Sequence, residues 1–271
     1  MAESILYCGD TDLSGAAAYL AGLITSWGWQ FDYVHSNVAM SSKLLETPRA
    51  LLILSDYPAL QFDAAYQKQA LLQIEHGCGL LMIGGWESYH GFGGDWDGTL
   101  LGSVLPVEIQ ATDDRVNFDQ SAWLLPTADH PITKGLPWYT SPPAIGGLNR
   151  VKAKPDATVV LNAQAYSISA DDNSVGNPVR AANLQFTYRE SMPALVVGQH
   201  GAGRTASFLS DVAPHWVGGL VDWGLPRVKA EAKGSSAIEV GHHYAQFWKQ
   251  LLKWTGPTVE AKLGLQGQPK K

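Results

Sequence analysis

The sequence predicts an α/β protein with a mostly parallel central sheet flanked by helices, together with an additional β-rich section. Over residues 1–90, short apolar runs alternate with helical periodicity, a pattern typical of a parallel sheet with helices on both faces. The apolar run Leu80–Ile83 then stops abruptly at two glycines, as a buried parallel strand does at a functional edge. From Pro106 to Asn162, short strand signals are separated by proline and glycine, which indicates further strands.

The first part of the chain supplies four strands and two helices. The predicted strands are Ile5–Cys8, Phe31–Val34, Ala50–Leu54 and Leu80–Ile83. Ser14 is the predicted cap of the first helix, whose apolar residues Ala17, Leu20, Leu23 and Ile24 share one face; Gly28 ends it. The second helix is Ala64–Glu75, ended at Gly77.

The later part is predicted to be richer in strands. The expected strands are Val107–Gln110, Leu148–Ala153 and Thr158–Asn162, with a hairpin formed by Ala194–Gly198 and Arg204–Leu209. An exposed loop is expected over residues 167–180. Helical periodicity returns at His243–Trp254. We expect residues 1–256 to form a single domain and residues 257–271 to be a disordered tail.

Composition excludes several classes of function. The net charge is −6, and the basic residues form no cluster, so we expect no nucleic-acid partner. Two cysteines, Cys8 and Cys78, exclude a disulfide framework and a cysteine-based zinc site. The N-terminus does not resemble a signal peptide, and no apolar run reaches the roughly 18 residues of a membrane span. These features predict a cytoplasmic protein without a membrane partner.

Polar side chains follow the predicted strands at the edge where parallel sheets bind ligands, the carboxyl ends of the strands. Candidate ligand contacts at this rim are Asp10, Asp56, Tyr57, Ser88 and His90, and candidate catalytic residues are Glu87, Asp211 and His215. A carboxylate such as Asp211 can orient a histidine that acts as general base. Alternatively, Asp211 caps the following turn and His215 packs against Trp216.

Other chemistries have weaker support. The Cys8 thiol could approach the rim near a helix N-terminus, although buried cysteine is usually a small hydrophobic residue. None of His90, His215, His242 or His243 has the spacing of a zinc-binding helix, and we predict no metal. Glycine-rich residues 91–94 are not followed by the lysine of a phosphate loop, so no cofactor is predicted.

Residues Gly84, Gly85 and Trp86 predict an elbow, a tight turn after a central strand. In enzymes with such a turn, the residue at its tip is a serine or cysteine nucleophile. Trp86 occupies the tip here and cannot act as one. The sequence therefore indicates the scaffold of a nucleophile elbow without the nucleophile.

Several short motifs together resemble one protein family. They are Gly84–Ser88, Trp96–Thr99, Leu105–Val107, His130–Trp138, Asn149–Arg150 and Ser210–Trp216. Across residues 4 to 255 the chain resembles the glutamine amidotransferase-like proteins, an uncharacterised branch of the class I glutamine amidotransferase-like superfamily. The resemblance implies a flavodoxin-like α/β sheet. Class I enzymes of this type use an elbow cysteine and a later His–Glu pair, so Trp86 implies that glutamine hydrolysis by this mechanism is absent.

The leading hypothesis is a pseudoenzyme, a non-catalytic protein that binds a small polar ligand or a partner at the rim. One alternative is a hydrolase in which Glu87, Asp211 or His215 acts without a cysteine. Another is a structural assembly protein, whose rim a second subunit would cover. Tryptophans in loops, among them Trp86 and Trp216, could line a pocket or a subunit interface, and we expect a homo-oligomer.

Overall fold

The computed structural model describes residues 4–170 and 184–257. The helices are α1 (Ala17–Ser26), α2 (Ser42–Leu45), α3 (Ala64–Glu75), α4 (Leu100–Val104), α5 (Pro214–Val217) and α6 (His242–Thr255). The strands are β1 (Ser4–Gly9), β2 (Phe31–Val34), β3 (Arg49–Ser55), β4 (Gly79–Ile83), β5 (Val107–Glu108), β6 (Arg115–Pro126), β7 (Ala144–Asn149), β8 (Lys152–Ala153), β9 (Thr158–Ala170), β10 (Leu184–His200), β11 (Gly203–Phe208), β12 (Arg227–Ala230) and β13 (Ile238–Gly241).

A nine-stranded mixed sheet forms the centre, in the order β2-β1-β3-β4-β11-β10-β9-β6-β7. Strands β2, β1, β3, β4 and β11 run parallel to one another. The neighbours from β11 to β7 pair antiparallel. The strands of the later chain thus extend the same sheet, while β5–β8 and β12–β13 form two small separate ladders.

The parallel half is buried on both faces, which explains its continuous apolar sequence. Every residue of β3 and β4 is buried, as expected for strands covered by helices on both sides. Helix α6 presents Phe247, Trp248 and Leu251 to the core, and the Phe208 ring of β11 contacts both aromatic rings. The carboxyl ends of β1, β3, β4 and β11 therefore meet at one edge of a rigid layer.

Many predicted elements match the structure closely, and the differences have physical reasons. Helix α1 begins at Ala17 without a side-chain cap, because the Ser14 N–H and hydroxyl both donate to Asp12 Oδ1 in a preceding turn. The predicted strand Leu148–Ala153 is divided, because the Arg150 N–H donates to the Asp114 carbonyl and the chain leaves the sheet. Strand β5 ends at Glu108, before the predicted Gln110.

Some predictions fall at the limits of the described chain. Of the expected loop 167–180, residues 167–170 belong to β9 and the remainder lies outside the described residues. The predicted tail lies outside them too, apart from Pro257. Strand β6 and the β12–β13 hairpin were not predicted. No helix in the described ranges is long and apolar enough to cross a membrane.

Candidate functional site

The turn after β4 lies deep in the sheet, because β4 pairs in parallel with both β3 and β11. A Cβ atom on Gly84 would lie 2.2 Å from the Leu209 carbonyl oxygen, and one on Gly85 would lie 2.0 Å from Asp56 Oδ1. Neither glycine is in the left-handed region. The two glycines are therefore required for the close approach of Leu209 and Asp56 and not for a left-handed backbone.

The predicted elbow residue Trp86 follows these glycines and is 57% exposed. Its φ angle is not positive, whereas Asp10 and Asp56, after β1 and β3, have φ values of 54° and 43°. Left-handed backbone at non-glycine residues costs free energy and concentrates at functional sites. Thr11 and Tyr89 share this left-handed conformation, with φ values of 62° and 52°, so two of the strained positions at the rim carry carboxylates.

Asp56 joins the end of β3 to the turn after β4. Its Oδ1 accepts a hydrogen bond from the Glu87 N–H at 2.8 Å, and its own N–H donates to Ser88 Oγ at 2.9 Å. The Ser36 hydroxyl donates to the Asp56 carbonyl at 2.5 Å. These contacts hold the left-handed conformation and fix the direction of the carboxylate.

Asp10 is buried at the end of β1. The Tyr7 hydroxyl donates to Asp10 Oδ2 at 2.6 Å, and the Asp10 N–H donates to the Ser55 carbonyl. Burial raises the pKa of Asp10, while the hydrogen bond from the Tyr7 hydroxyl opposes that rise. Burial also raises the pKa of Tyr7, and the charge of Asp10 raises it further. Tyr7 and Asp10 therefore form a buried hydrogen-bonded pair at the end of β1.

Asp211 follows β11 and is only 6% exposed. Its Oδ1 accepts hydrogen bonds from the N–H groups of Val212 and Ala213, at 2.5 and 3.0 Å. Its Oδ2 lies 3.9 Å from His215 Nδ1, and the His215 side chain is 81% exposed. This distance exceeds that of a direct hydrogen bond. Asp211 thus caps the following turn, which agrees with the first part of the alternative interpretation, and it remains close to His215.

The three rim carboxylates disfavour one another's ionisation. Burial raises the pKa of Asp56 to about 7, and the charge of Asp10 contributes to the rise. Burial raises the pKa of Asp211 well above its usual range, and the charges of Asp10 and Asp56 raise it further. Like charges brought together in a poorly solvated site favour retention of protons. Protonation can therefore change at this rim near neutral pH.

A pocket of about 430 Å³ opens at the rim. It is lined by Asp56, Trp86, Asn117, Asp211, His215 and Trp216. The Trp216 indole N–H donates to Asn117 Oδ1 at 2.8 Å, and the Arg115 guanidinium lies 4.5 Å from the Trp86 ring centroid. Residues of β6 thus hold the two tryptophans of the pocket lining, and the two carboxyl groups of the lining follow β3 and β11.

The other predicted site residues lie around this pocket without lining it. Glu87 is partly buried, which raises its pKa, and its N–H holds Asp56. Ser88 is buried and supports Asp56. Tyr57 is buried with its hydroxyl donating to the Val38 carbonyl. His90 pairs with Asp97 at 2.7 Å, and this hydrogen bond raises its pKa.

The described residues contain one group with the spacing of metal ligands, namely His90, Asp95 and Asp97. It lies in the loop after the elbow and outside the pocket lining. Asp95 is exposed, and the other two are partly so. Sequence reasoning considered His90 together with nearby carboxylates, but it did not identify Asp95 and Asp97, because their approach depends on the folding of a glycine-rich loop.

The two thiols are not positioned for nucleophilic chemistry at the rim. Cys8 is fully buried inside β1, and burial raises the pKa of its thiol. Cys78 is buried immediately before β4, at the opposite end of that strand from the elbow. A thiolate is the nucleophilic form of cysteine, and burial opposes its formation.

Asn149 and Asp114 are the residues that sequence reasoning missed. Asn149 Oδ1 accepts from the Gly85 N–H at 2.9 Å, and its Nδ2 donates to the Gly85 carbonyl at 3.1 Å and to Asp114 Oδ1 at 2.8 Å. Asp114 also accepts from the backbone of His90 and Gly91. Asn149 and Asp114 therefore hydrogen-bond to the backbone of the segment after β4 at both of its ends, Gly85 and His90–Gly91. The only sequence signal was Asn149–Arg150 among the motifs of the family resemblance.

Comparison with solved structures shows the same fold in other proteins. The chain is similar to "Cytoplasmic Protein STM3548 from Salmonella typhimurium", with 21% identity, a TM-score of 0.66, and coverage of 93% of this chain and 98% of that one. "Cytoplasmic Protein STM1381 from Salmonella typhimurium LT2" gives 21% identity, a TM-score of 0.67, and coverage of 93% and 99%. A thua-like protein from Parabacteroides merdae gives 13% identity, a TM-score of 0.55, and coverage of 100% and 94%.

The sequence itself identifies the family. No curated protein matches the chain. The family model GATase1_like, described as "Putative glutamine amidotransferase", matches residues 50–227, which span β3 to the start of β12 and include the elbow, Asn149 and Asp211. This match covers more than half of the chain and agrees with the family resemblance of its motifs. The chain therefore belongs to the GATase1-like glutamine amidotransferase family.

Proposed function

We propose that this protein binds a small polar ligand in the rim pocket and does not hydrolyse glutamine. The pocket between Asp56 and Asp211 is the observation that carries the proposal. It combines two carboxylates held by backbone N–H groups with a partly apolar wall from Trp86 and Trp216. Concave sites with a few fixed polar groups are typical of small-molecule binding.

The absence of glutaminase activity follows from the elbow. In the family's usual mechanism the nucleophile is a cysteine at the elbow position, which Trp86 occupies here. The indole ring has no nucleophilic group for this chemistry. We expect ammonia release from glutamine to equal the protein-free background. Release above background that disappears in Cys8→Ala would contradict the proposal and make Cys8 the nucleophile.

Ligand binding is tested by thermal shift with a panel of small polar molecules. We expect compounds that raise the melting temperature of the wild type to lose that effect in Asp211→Asn, whose side-chain oxygen can still cap the turn. Asp129→Asn is the matched control, because Asp129 is exposed and lines a different pocket. Equal stabilisation of wild type and Asp211→Asn by every hit would contradict binding at the rim.

A hydrolase is the second candidate, favoured by the pKa of Asp56 near 7. A general base works best when its pKa lies near the working pH, and a neighbouring protonated carboxyl can serve as acid. Asp56 and Asp211 fit these roles better than Glu87, which does not line the pocket. Turnover of p-nitrophenyl esters or amides that is lost in Asp56→Asn would favour the hydrolase.

We also propose a cytoplasmic location and self-association. The similar Salmonella proteins are described as cytoplasmic. Two exposed aromatic side chains, Trp86 and Phe92, each contact the Arg115 guanidinium, with ring centroids 4.5 and 5.1 Å from it. Light scattering tests the association: a monomeric mass would exclude the homo-oligomer, and with it a role as an assembly protein.

A further inference from the structure

We infer that the rim pocket accepts an organic cation, a primary or secondary ammonium group, between Asp56 and Asp211. This inference rests on the proposed ligand-binding function and adds the chemical class of the ligand. It follows from the charge, the spacing and the aromatic wall of the pocket.

The two carboxyl groups of the pocket share its lining with one basic side chain, that of His215. No lysine or arginine lines the pocket in the part of the chain that the structure describes. Asp211 Oδ2 accepts no hydrogen bond from the described residues, although Asp211 is more than nine-tenths buried. A buried carboxylate is stabilised by a cationic partner or else retains its proton. An ammonium group would supply both the charge and the hydrogen-bond donors.

The surrounding groups strengthen this acidic character. Asp10 lies behind the pocket, and its charge acts on both Asp56 and Asp211. Glu87 adjoins Asp56, and Tyr244 adjoins Asp211 through its hydrogen bond to the Val212 carbonyl. Two basic side chains lie near the pocket: His215, which is exposed, and Arg115, whose guanidinium donates to both carboxylate oxygens of Asp113. Within residues 4–170 and 184–257, no lysine or arginine forms an ion pair with Asp211.

The spacing favours an organic cation over a metal ion. Metal ligands converge on one ion at about 2–2.6 Å, so their donor atoms lie close together. The described residues with that spacing are His90, Asp95 and Asp97, and no group of three from the rim shares it. A pocket of about 430 Å³ has room for an organic molecule, with its ammonium group directed to one carboxylate or both.

The aromatic wall also favours a cation. Trp86 already carries a cation on its ring, because the Arg115 guanidinium lies 4.5 Å from the ring centroid. The Trp216 ring is fixed by its hydrogen bond to Asn117 and contributes a second indole to the lining. Indole rings attract cations more strongly than other aromatic side chains do. A cavity lined by both carboxylates and indole rings is suited to an alkylammonium ion.

The test is calorimetric titration with 1,4-diaminobutane, with 1,4-butanediol as its neutral counterpart and succinate as its anionic one. Ionic strength is kept at about 0.15 M to screen general attraction to the acidic surface. We expect the diamine to bind at least about tenfold more tightly than the diol, which corresponds to about 1.4 kcal/mol. Asp211→Asn should weaken diamine binding to the same extent, and Asp129→Asn should leave it unchanged.

The other outcomes separate the inference from the proposed function. If the diol or succinate binds more tightly than the diamine and this binding is lost in Asp211→Asn, the inference of a cationic ligand is wrong, while ligand binding at the rim is supported. Diamine binding that is unchanged in Asp211→Asn would show surface attraction and overturn the inference. Absence of diamine binding would also contradict the inference. Displacement of the diamine by MgCl2 or MnCl2 would contradict it as well, because it would show that the site binds a metal ion. Failure of every compound in the thermal-shift panel would overturn the proposed function as well.

Discussion

The side-chain amide of Asn149 forms two hydrogen bonds with the backbone of Gly85, accepting from its N–H at 2.9 Å and donating to its carbonyl at 3.1 Å. A side chain from β7 in the antiparallel half of the sheet thereby fixes the turn after β4 in the parallel half. The conformation of the pocket wall thus depends on contact between strands that are distant in the sequence.

Removal of this amide should destabilise the protein. Asn149→Ala would leave the buried Gly85 N–H without its partner and would remove one of the hydrogen-bond donors to the Asp114 carboxylate. We expect a loss of about 2–4 kcal/mol in the free energy of unfolding, measured with urea. Asn37→Ala is the control, because Asn37 is exposed, and it should change stability by less than about 0.5 kcal/mol. Equal effects of the two substitutions would contradict the structural role of Asn149.

Gly85 should tolerate no side chain. In Gly85→Ala the new Cβ would lie 2.0 Å from Asp56 Oδ1, so the carboxylate or the turn must move. We expect a loss of about 3 kcal/mol, as for an overpacked core. Gly15→Ala is a matched control, because its Cβ would meet only ordinary contacts at 3.7 Å. A fully stable Gly85→Ala variant would show that the close approach of Asp56 is not required.

Stability should depend on pH through Asp56. The carboxyl ionises near pH 4 in an unfolded chain, whereas its pKa in the fold is about 7. Between these values the folded state binds more protons, so the stability from this group is present below about pH 4 and is lost as pH rises towards 7. The side chain of Asp56→Asn cannot ionise. The variant should therefore lose less stability between about pH 4 and pH 7 than the wild type does, by about 2 kcal/mol in the free energy of unfolding.

The measurement is urea unfolding of both proteins at about pH 5 and about pH 8. The stability of the variant relative to the wild type should be greater at the higher pH. A difference of the opposite sign would mean that the folded protein stabilises ionised Asp56. Asp211 contributes in the same direction, so the variant should retain some pH dependence.

The parallel half of the sheet could be predicted because it is buried on both faces. Continuous apolar runs such as those in β3 and β4 have few alternative structures, and they placed Asp56, Trp86 and Asp211 at the same edge. Strand β6 was missed although Val116, Phe118, Ala122 and Leu124 follow the alternation of a half-buried strand, because the polar Gln120 interrupts this series. Without β6, Asn117 could not be placed beside Trp216.

The direction of individual side chains could not be predicted either. Tyr57 and Ser88 were expected to contact a ligand because they follow strands at the rim. The backbone turns direct Tyr57 towards the Val38 carbonyl and Ser88 towards the Asp56 N–H instead. Periodicity identifies where a strand ends, whereas the direction of the next side chains depends on turns set by tertiary contacts such as those of Asn149.

Crystallography with the diamine, the diol, succinate and the hits of the thermal-shift panel tests the ligand site most directly. We expect electron density for a bound molecule between the Asp56 and Asp211 carboxylates, beside Trp216, and loss of that density in Asp211→Asn. A larger pocket, lined by residues that include His130, Trp138 and Tyr139, has a volume of about 590 Å³ and serves as the internal comparison. Density confined to that second pocket, with the rim free of ligand for every compound, would contradict ligand binding at the rim.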